Sequence, residues 1–139
     1  MEREVMSSLL RINRYHRRSL KAVLAPYGYL GVMHLILLYV SRHPGASQEE
    51  ITCFYALDKG SVARDARRLE DLGHIERRIL PENRRQYQMF ITEAGQSMME
   101  VIDSAMDQFL DRLSAGFSKE DWQQLSQALK RLEANVCQS

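Results

Sequence analysis

Apolar positions recur along the first 25 residues at helical spacing. Val5, Leu9, Ile12, His16, Leu20 and Val23 mark one side of a helix over 4–24, with Arg11, Arg14, Arg17 and Arg18 largely elsewhere. Pro26 and Gly28 punctuate it. "LGVMHLILLYVS", residues 30–41, is apolar on nearly every side, the pattern of a central buried helix, and "RHPGAS" breaks it. Ser47 followed by Glu50 has the spacing of a capping box and starts a short helix over 48–55. Asp58 is a good N-cap for a helix over 58–72, with Val62, Ala66 and Leu69 on one face and Gly73 at its C-terminal end. Two β-like runs, 75–79 and 86–91, flank a turn at "PENRR". Thr92 caps a helix over 93–113, whose stripe is Met98, Ile102, Ala105 or Met106, Phe109 and Leu113. Past Gly116 a last helix begins at Ser118 with acidic residues in its first turn. Trp122, Leu125, Leu129, Leu132 and Val136 recur there at coiled-coil-like spacing.

Four helices, a hairpin and two more helices make a mainly α chain with a small β-hairpin. Two short helices joined by a tight turn, the second followed by a hairpin, describe a winged helix-turn-helix. The second short helix suits a DNA major groove and the hairpin, or wing, its minor groove. Lys59, Gly60, Ser61 and Ala63 open that helix with small groups that let the backbone approach bases, and Arg64, Arg67 and Arg68 project from it. Arg64 and Arg68 are one turn apart, whereas Arg67 points about 100° away from Arg68. A helix with these arginines alone reads as a solvated face. A wing tip carrying Arg84 and Arg85, with Glu82 and Asn83 beside them, turns the reading towards a polyanion.

Charge distribution supports that direction although the average does not. The 139 residues carry a net charge of only +1, with 45% hydrophobic and 27% charged residues, enough for one ordered domain. Residues 1–25 hold six Lys/Arg against two acidic groups, 59–85 hold eight against five, and 93–139 reverse to four against eight. That asymmetry points to a polyanionic partner. No stretch approaches 18 apolar residues and no signal-peptide core appears, so the expectation is a cytoplasmic protein without a membrane partner. Cys53 and Cys137 form no C-x-x-C pair and no zinc spacing. Neither a Ser/His/Asp arrangement, a Gly-rich phosphate loop nor a metal-ligand set is visible, so no enzyme, cofactor or metal is expected.

"LDKGSVAR", "RRLEDLGHIERR", "NRR" and "ITEAG" stand in an order and spacing that resemble the MarR family of bacterial transcriptional regulators. The quoted motifs lie within residues 47–95, the stretch that carries the resemblance, and the flanking helices agree with that family's layout. The resemblance implies one domain over 1–139, with a DNA-binding lobe at 30–92 and a helical dimerisation lobe at 1–25 and 93–139. It implies a homodimer on a pseudo-palindromic double-stranded operator, most often as a repressor. The DNA-facing set it implies is Ser47, Gln48, Lys59, Gly60, Ser61, Val62, Arg64, Arg67, Arg68, Asn83, Arg84 and Arg85. Two positions depart from the family. Asn83 replaces a usual Asp that pairs with an arginine at the position of Arg77, leaving Glu82 as a substitute wing support. Asp65 stands where the family is apolar and would repel a phosphate unless Arg64 or Arg68 neutralises it.

Many members of the family release DNA on binding a small aromatic or anionic compound. The side chains here suited to such an effector are Tyr15, His16, Met33 and His34, with Arg17, Tyr27 and Tyr29 nearby in sequence. Cysteine sensing in the family uses the first helix, which has none here. Cys53 is expected to pack with Phe54 and Leu57 as a small hydrophobe. The competing reading is a winged-helix dimer that holds a protein instead of specific DNA, for which Asp65 and Asn83 leave room.

Overall fold

The computed structural model describes residues 1–137, and of Arg84 the backbone alone, so the wing role expected of that side chain lies outside the described residues. In chain order the elements are α1 (Glu2–Leu24), a 3-10 turn (Ala25–Tyr27), α2 (Met33–Arg42), α3 (Gln48–Tyr55), α4 (Lys59–Asp71), β1 (Ile75–Leu80), β2 (Asn83–Ile91), α5 (Glu93–Leu113) and α6 (Lys119–Val136). Two compact units are present, Met1–Asp107 and Gln108–Ser139. The expected winged helix-turn-helix is observed as α3, α4 and the β1–β2 hairpin.

Local chemistry sets most boundaries. The Ser47 hydroxyl accepts from the Glu50 N–H at 3.1 Å and opens α3. Asp58 Oδ2 accepts from the Ser61 N–H at 3.0 Å and opens α4. Gly73, at φ +75°, closes α4 in a Schellman arrangement: its N–H donates to the Glu70 carbonyl and the His74 N–H to the Leu69 carbonyl, both at 2.9 Å. The Thr92 hydroxyl donates to the Gly73 carbonyl at 2.6 Å and accepts from the Gly95 N–H at 3.1 Å, joining the end of α4 to the start of α5. A Cβ on Gly95 would run into the His74 carbonyl, so only glycine fits that joint. In the second unit Ser118 and Asp121 form a reciprocal capping box at the head of α6.

Helix α2 begins three residues later than the apolar run predicts. Gly31 takes a left-handed φ of +52°, and Leu30–Val32 form a turn instead. Strand β2 begins at Asn83 and not at residue 86, because the hairpin closes tightly over Pro81–Glu82 with a register shift between Ile79 and Leu80. A further rung was not legible. The Gly45 N–H donates to the Met89 carbonyl and the Met89 N–H to the Ala46 carbonyl, each at 2.9 Å, so the segment leading into α3 pairs with β2.

The core of the first unit draws Leu20 and Leu24 from α1, half of α2, Ile51, the inner face of α4, Ile75 and Met89 from the hairpin, and Met98, Met99, Ile102 and Ala105 from α5. A fully buried aliphatic side chain of this kind contributes about 1.5–3 kcal/mol. Val62 and Met33 are both completely buried there, which corrects their expected roles towards DNA and ligand. Cys53 and Phe54 are corrected the other way: both are exposed and neither is packed under the helix. No described helix is long and apolar enough to cross a membrane.

Candidate nucleic-acid interface

Helix α4 divides into two faces. Val62, Asp65, Ala66 and Leu69 point inward and are buried, while Lys59, Gly60, Arg64 and Arg67 are exposed, with Ala63 half-buried between them. The outward face therefore offers a small-residue notch, Gly60 and Ala63, flanked by three cations. Ser61 is half-buried, and its hydroxyl donates to Asp58 Oδ2 at 3.1 Å while its oxygen remains an acceptor. Ser47 and Gln48 are half-buried at the N-terminus of α3. Arg67 belongs to the outward face, while Arg68 turns sideways.

Arg68 turns because of Asp65. That carboxylate is completely buried; its Oδ1 accepts from Arg68 Nη1 at 2.9 Å and lies 3.6 Å from Arg64 Nε. Its Oδ2 accepts from the backbone N–H of Val32 at 2.9 Å, capping the α2 end that lacks a side-chain cap of its own. Asp65 thus faces inward, away from any phosphate, which removes the expected repulsion.

The wing is anchored to the same helix. Arg77 on β1 donates through Nε and Nη2 to both Glu70 oxygens, at 3.0 and 2.9 Å, and its guanidinium lies 4.9 Å from the centre of the Tyr87 ring. The shared bond draws the Glu70 carboxyl below its ordinary value and pushes the Arg77 guanidinium above its own. Arg77 is therefore held by α4 and not by Glu82, which is exposed at the turn. Asn83 needs no charge in its place. Its Oδ1 accepts the Arg85 N–H at 3.2 Å and shapes the tip, leaving Arg85 exposed.

Two clefts flank these elements. One, about 440 Å³, lies between α3 and the hairpin, with Ser47, Glu49, Cys53, Gln86 and Tyr87 among its walls. The other, about 470 Å³, is walled by Arg14, Arg17, Arg18 and Lys21 of α1 with Tyr29, Gly31 and His34. Of the four expected effector residues only His34 lines it. Tyr15 is 55% exposed elsewhere on α1, His16 is half-buried, and Met33 lies in the core. Desolvation, with His16 and Arg17 adding to it, lowers the His34 pKa to about 4, so its imidazole is neutral at physiological pH. Tyr29 is buried and its hydroxyl meets His74 Nδ1 at 2.6 Å, linking the cleft wall to the loop after α4. The basic wall was missed in the sequence, although positions 14, 17, 18 and 21 follow the i, i+3, i+4, i+7 rule for one helix face and carry its signal. Among the described residues no cluster of three or more His, Cys, Asp or Glu has the geometry to hold a metal ion.

Known proteins agree with this geometry. The MarR family model matches residues 33–87. A crystal structure of MarR is 31% identical, covers 95% of this chain and 96% of its own, and superposes with a TM-score of 0.81. The HTH-type transcriptional regulator BilQ of Clostridium symbiosum is 29% identical over 112 residues, 78% of this chain and 77% of BilQ. A MarR family transcriptional regulator from Listeria monocytogenes, solved complexed with 26mer DNA, has a TM-score of 0.89 at 20% identity, covering 95% of this chain and 88% of its own. The buried and outward faces of α4, the clamped hairpin and these likenesses agree: the chain belongs to the MarR family of transcriptional regulators.

Proposed function

We propose that the protein regulates transcription by binding a pseudo-palindromic double-stranded operator as a homodimer, most simply as a repressor. The observation that carries this reading is the outward face of α4, where Gly60 and Ala63 leave room for base edges between Lys59, Arg64 and Arg67. Arg64 and Arg67 take base edges or phosphates in the major groove, and each good bidentate pair to a guanine is worth about 1–3 kcal/mol. Ser47 and Gln48 hold a phosphate at the start of α3, and Arg85 enters the adjacent minor groove from the wing. Two such helices meet successive major grooves roughly 34 Å apart. The second copy covers apolar stripes that this chain leaves open, on α1 (Val5, Met6, Leu10) and on α6 (Leu125, Leu132). The protein acts by binding and not by catalysis, in the compartment that holds the chromosome. Its effector is a small anion drawn by the four cations of the α1 cleft.

A protein-holding role no longer has the support that Asp65 and Asn83 lent it, since one is buried and the other shapes a turn. Selecting bound fragments from the source genome gives the operator. On it, Arg64→Ala and Arg85→Ala are each expected to lower affinity by about tenfold or more. Both variants binding like wild type would move the interface elsewhere.

A further inference from the structure

Asp65 is the one completely buried charged residue among those described, and it sits in the helix that reads DNA. A buried carboxylate is costly unless it is paired and hydrogen-bonded. Here both oxygens are engaged, by the Val32 N–H and by Arg68, with Arg64 drawn to 3.6 Å. The backbone is shaped around it as well. Gly31 adopts φ +52°, and a Cβ there would stand 2.5 Å from Asp65 Oδ2, so both the conformation and the space belong to glycine. The site therefore fixes a negative charge beneath the basic helix and gives it two guanidinium neighbours.

The consequence follows from how cations act on DNA. Binding without regard to sequence grows with the number of cations that displace counterions from phosphates, whereas base edges carry the sequence information. An arginine already neutralised by an internal carboxylate adds little to the first and fixes the frame for the second. Resting on the DNA-binding reading, we propose that Asp65 is a specificity-determining residue, an internal counter-anion that withholds Arg68 from DNA phosphates. The sequence-blind attraction of α4 is thereby held down while Arg64 and Arg67 remain presented outward.

The test uses the full-length protein, a random-sequence duplex and the operator recovered from genomic selection, with affinity followed against salt. Asp65→Asn keeps an oxygen for the Val32 N–H and removes the charge. Its binding to the random duplex is expected to tighten about tenfold at low salt. The salt slope should steepen by about 0.9 for each arginine released, roughly two for a dimer. The preference for operator over random duplex falls accordingly. Asp65→Asn combined with Arg68→Gln removes a pair of no net charge, so it is expected to leave random-duplex affinity and slope within about twofold of wild type. It carries the test by itself if Asp65→Asn does not fold. A folded Asp65→Asn with the wild-type slope overturns the proposal, and so does a slope shallower by about two in the double variant. A wild-type protein that binds neither duplex sinks the DNA reading itself, an outcome distinct from both.

Discussion

Helices α2 and α6 both carry apolar residues at regular spacing, yet α2 hides five of its ten residues and none of the eighteen in α6 is buried. Helix α1 repeats the contrast within itself. Leu20 and Leu24 are in the core, while Val5, Met6, Leu10 and Ile12 are 41–61% exposed. The winged region satisfies its own needs: caps, clamps and core are closed inside one chain. The stripes of α1 and α6 are not closed in that way. A stripe specifies which face of a helix is apolar; what covers that face is a separate question, answered here by our reading of a second copy.

The sharpest way to break this contrast is on α6. Leu125→Glu with Leu132→Glu should turn a dimer into a monomer in sedimentation and leave the helical circular dichroism largely intact. Operator affinity should fall by about a hundredfold or more, because two half-sites are no longer engaged together. A variant that stays dimeric would show that the stripe is not the seam. In the closed region the largest effect belongs to Gly95→Ala, whose Cβ would meet the His74 carbonyl and Ile91. It should lose about 3 kcal/mol in urea unfolding, near the upper end for overpacking.

Acid comes next. Burial holds His34 at about 4 and lowers His16 and His74 as well, so all three favour the neutral ring when folded. The unfolded chain takes up protons below its ordinary value of 6.5, so stability is full above that pH and is lost as pH falls towards 4. Urea midpoints at successive pH values should fall across that window, with His34 contributing on the order of 1–3 kcal/mol, and His34→Gln should flatten much of the fall. The smallest effect should be a gain. Ala56, at φ +51°, is the only non-glycine residue with positive φ among those described, and Ala56→Gly is expected to add about 0.5–1 kcal/mol.

What the sequence revealed and what it hid divide along the range of each interaction. Asp58, Gly73, Thr92 and Ser118 were legible because a cap is chosen by residues three or four positions away. The pairs Asp65–Val32 and Glu70–Arg77 were not, since their partners are selected by packing across 33 and seven positions. Val62 is instructive. Its periodicity with Ala66 and Leu69 placed it inward, and resemblance alone placed it towards DNA; the structure follows the periodicity. Cys53 escaped because a lone polarizable side chain on a short helix carries no signal of which side will be covered.

The rung between Ala46 and Met89 makes the hairpin a lever with its fulcrum at the head of α3. Arg85 lies four residues beyond Met89, roughly 13 Å out along the strand. A pivot of only about 5° at that fulcrum would swing the tip through about 1 Å, enough to take a guanidinium into or out of hydrogen-bonding range.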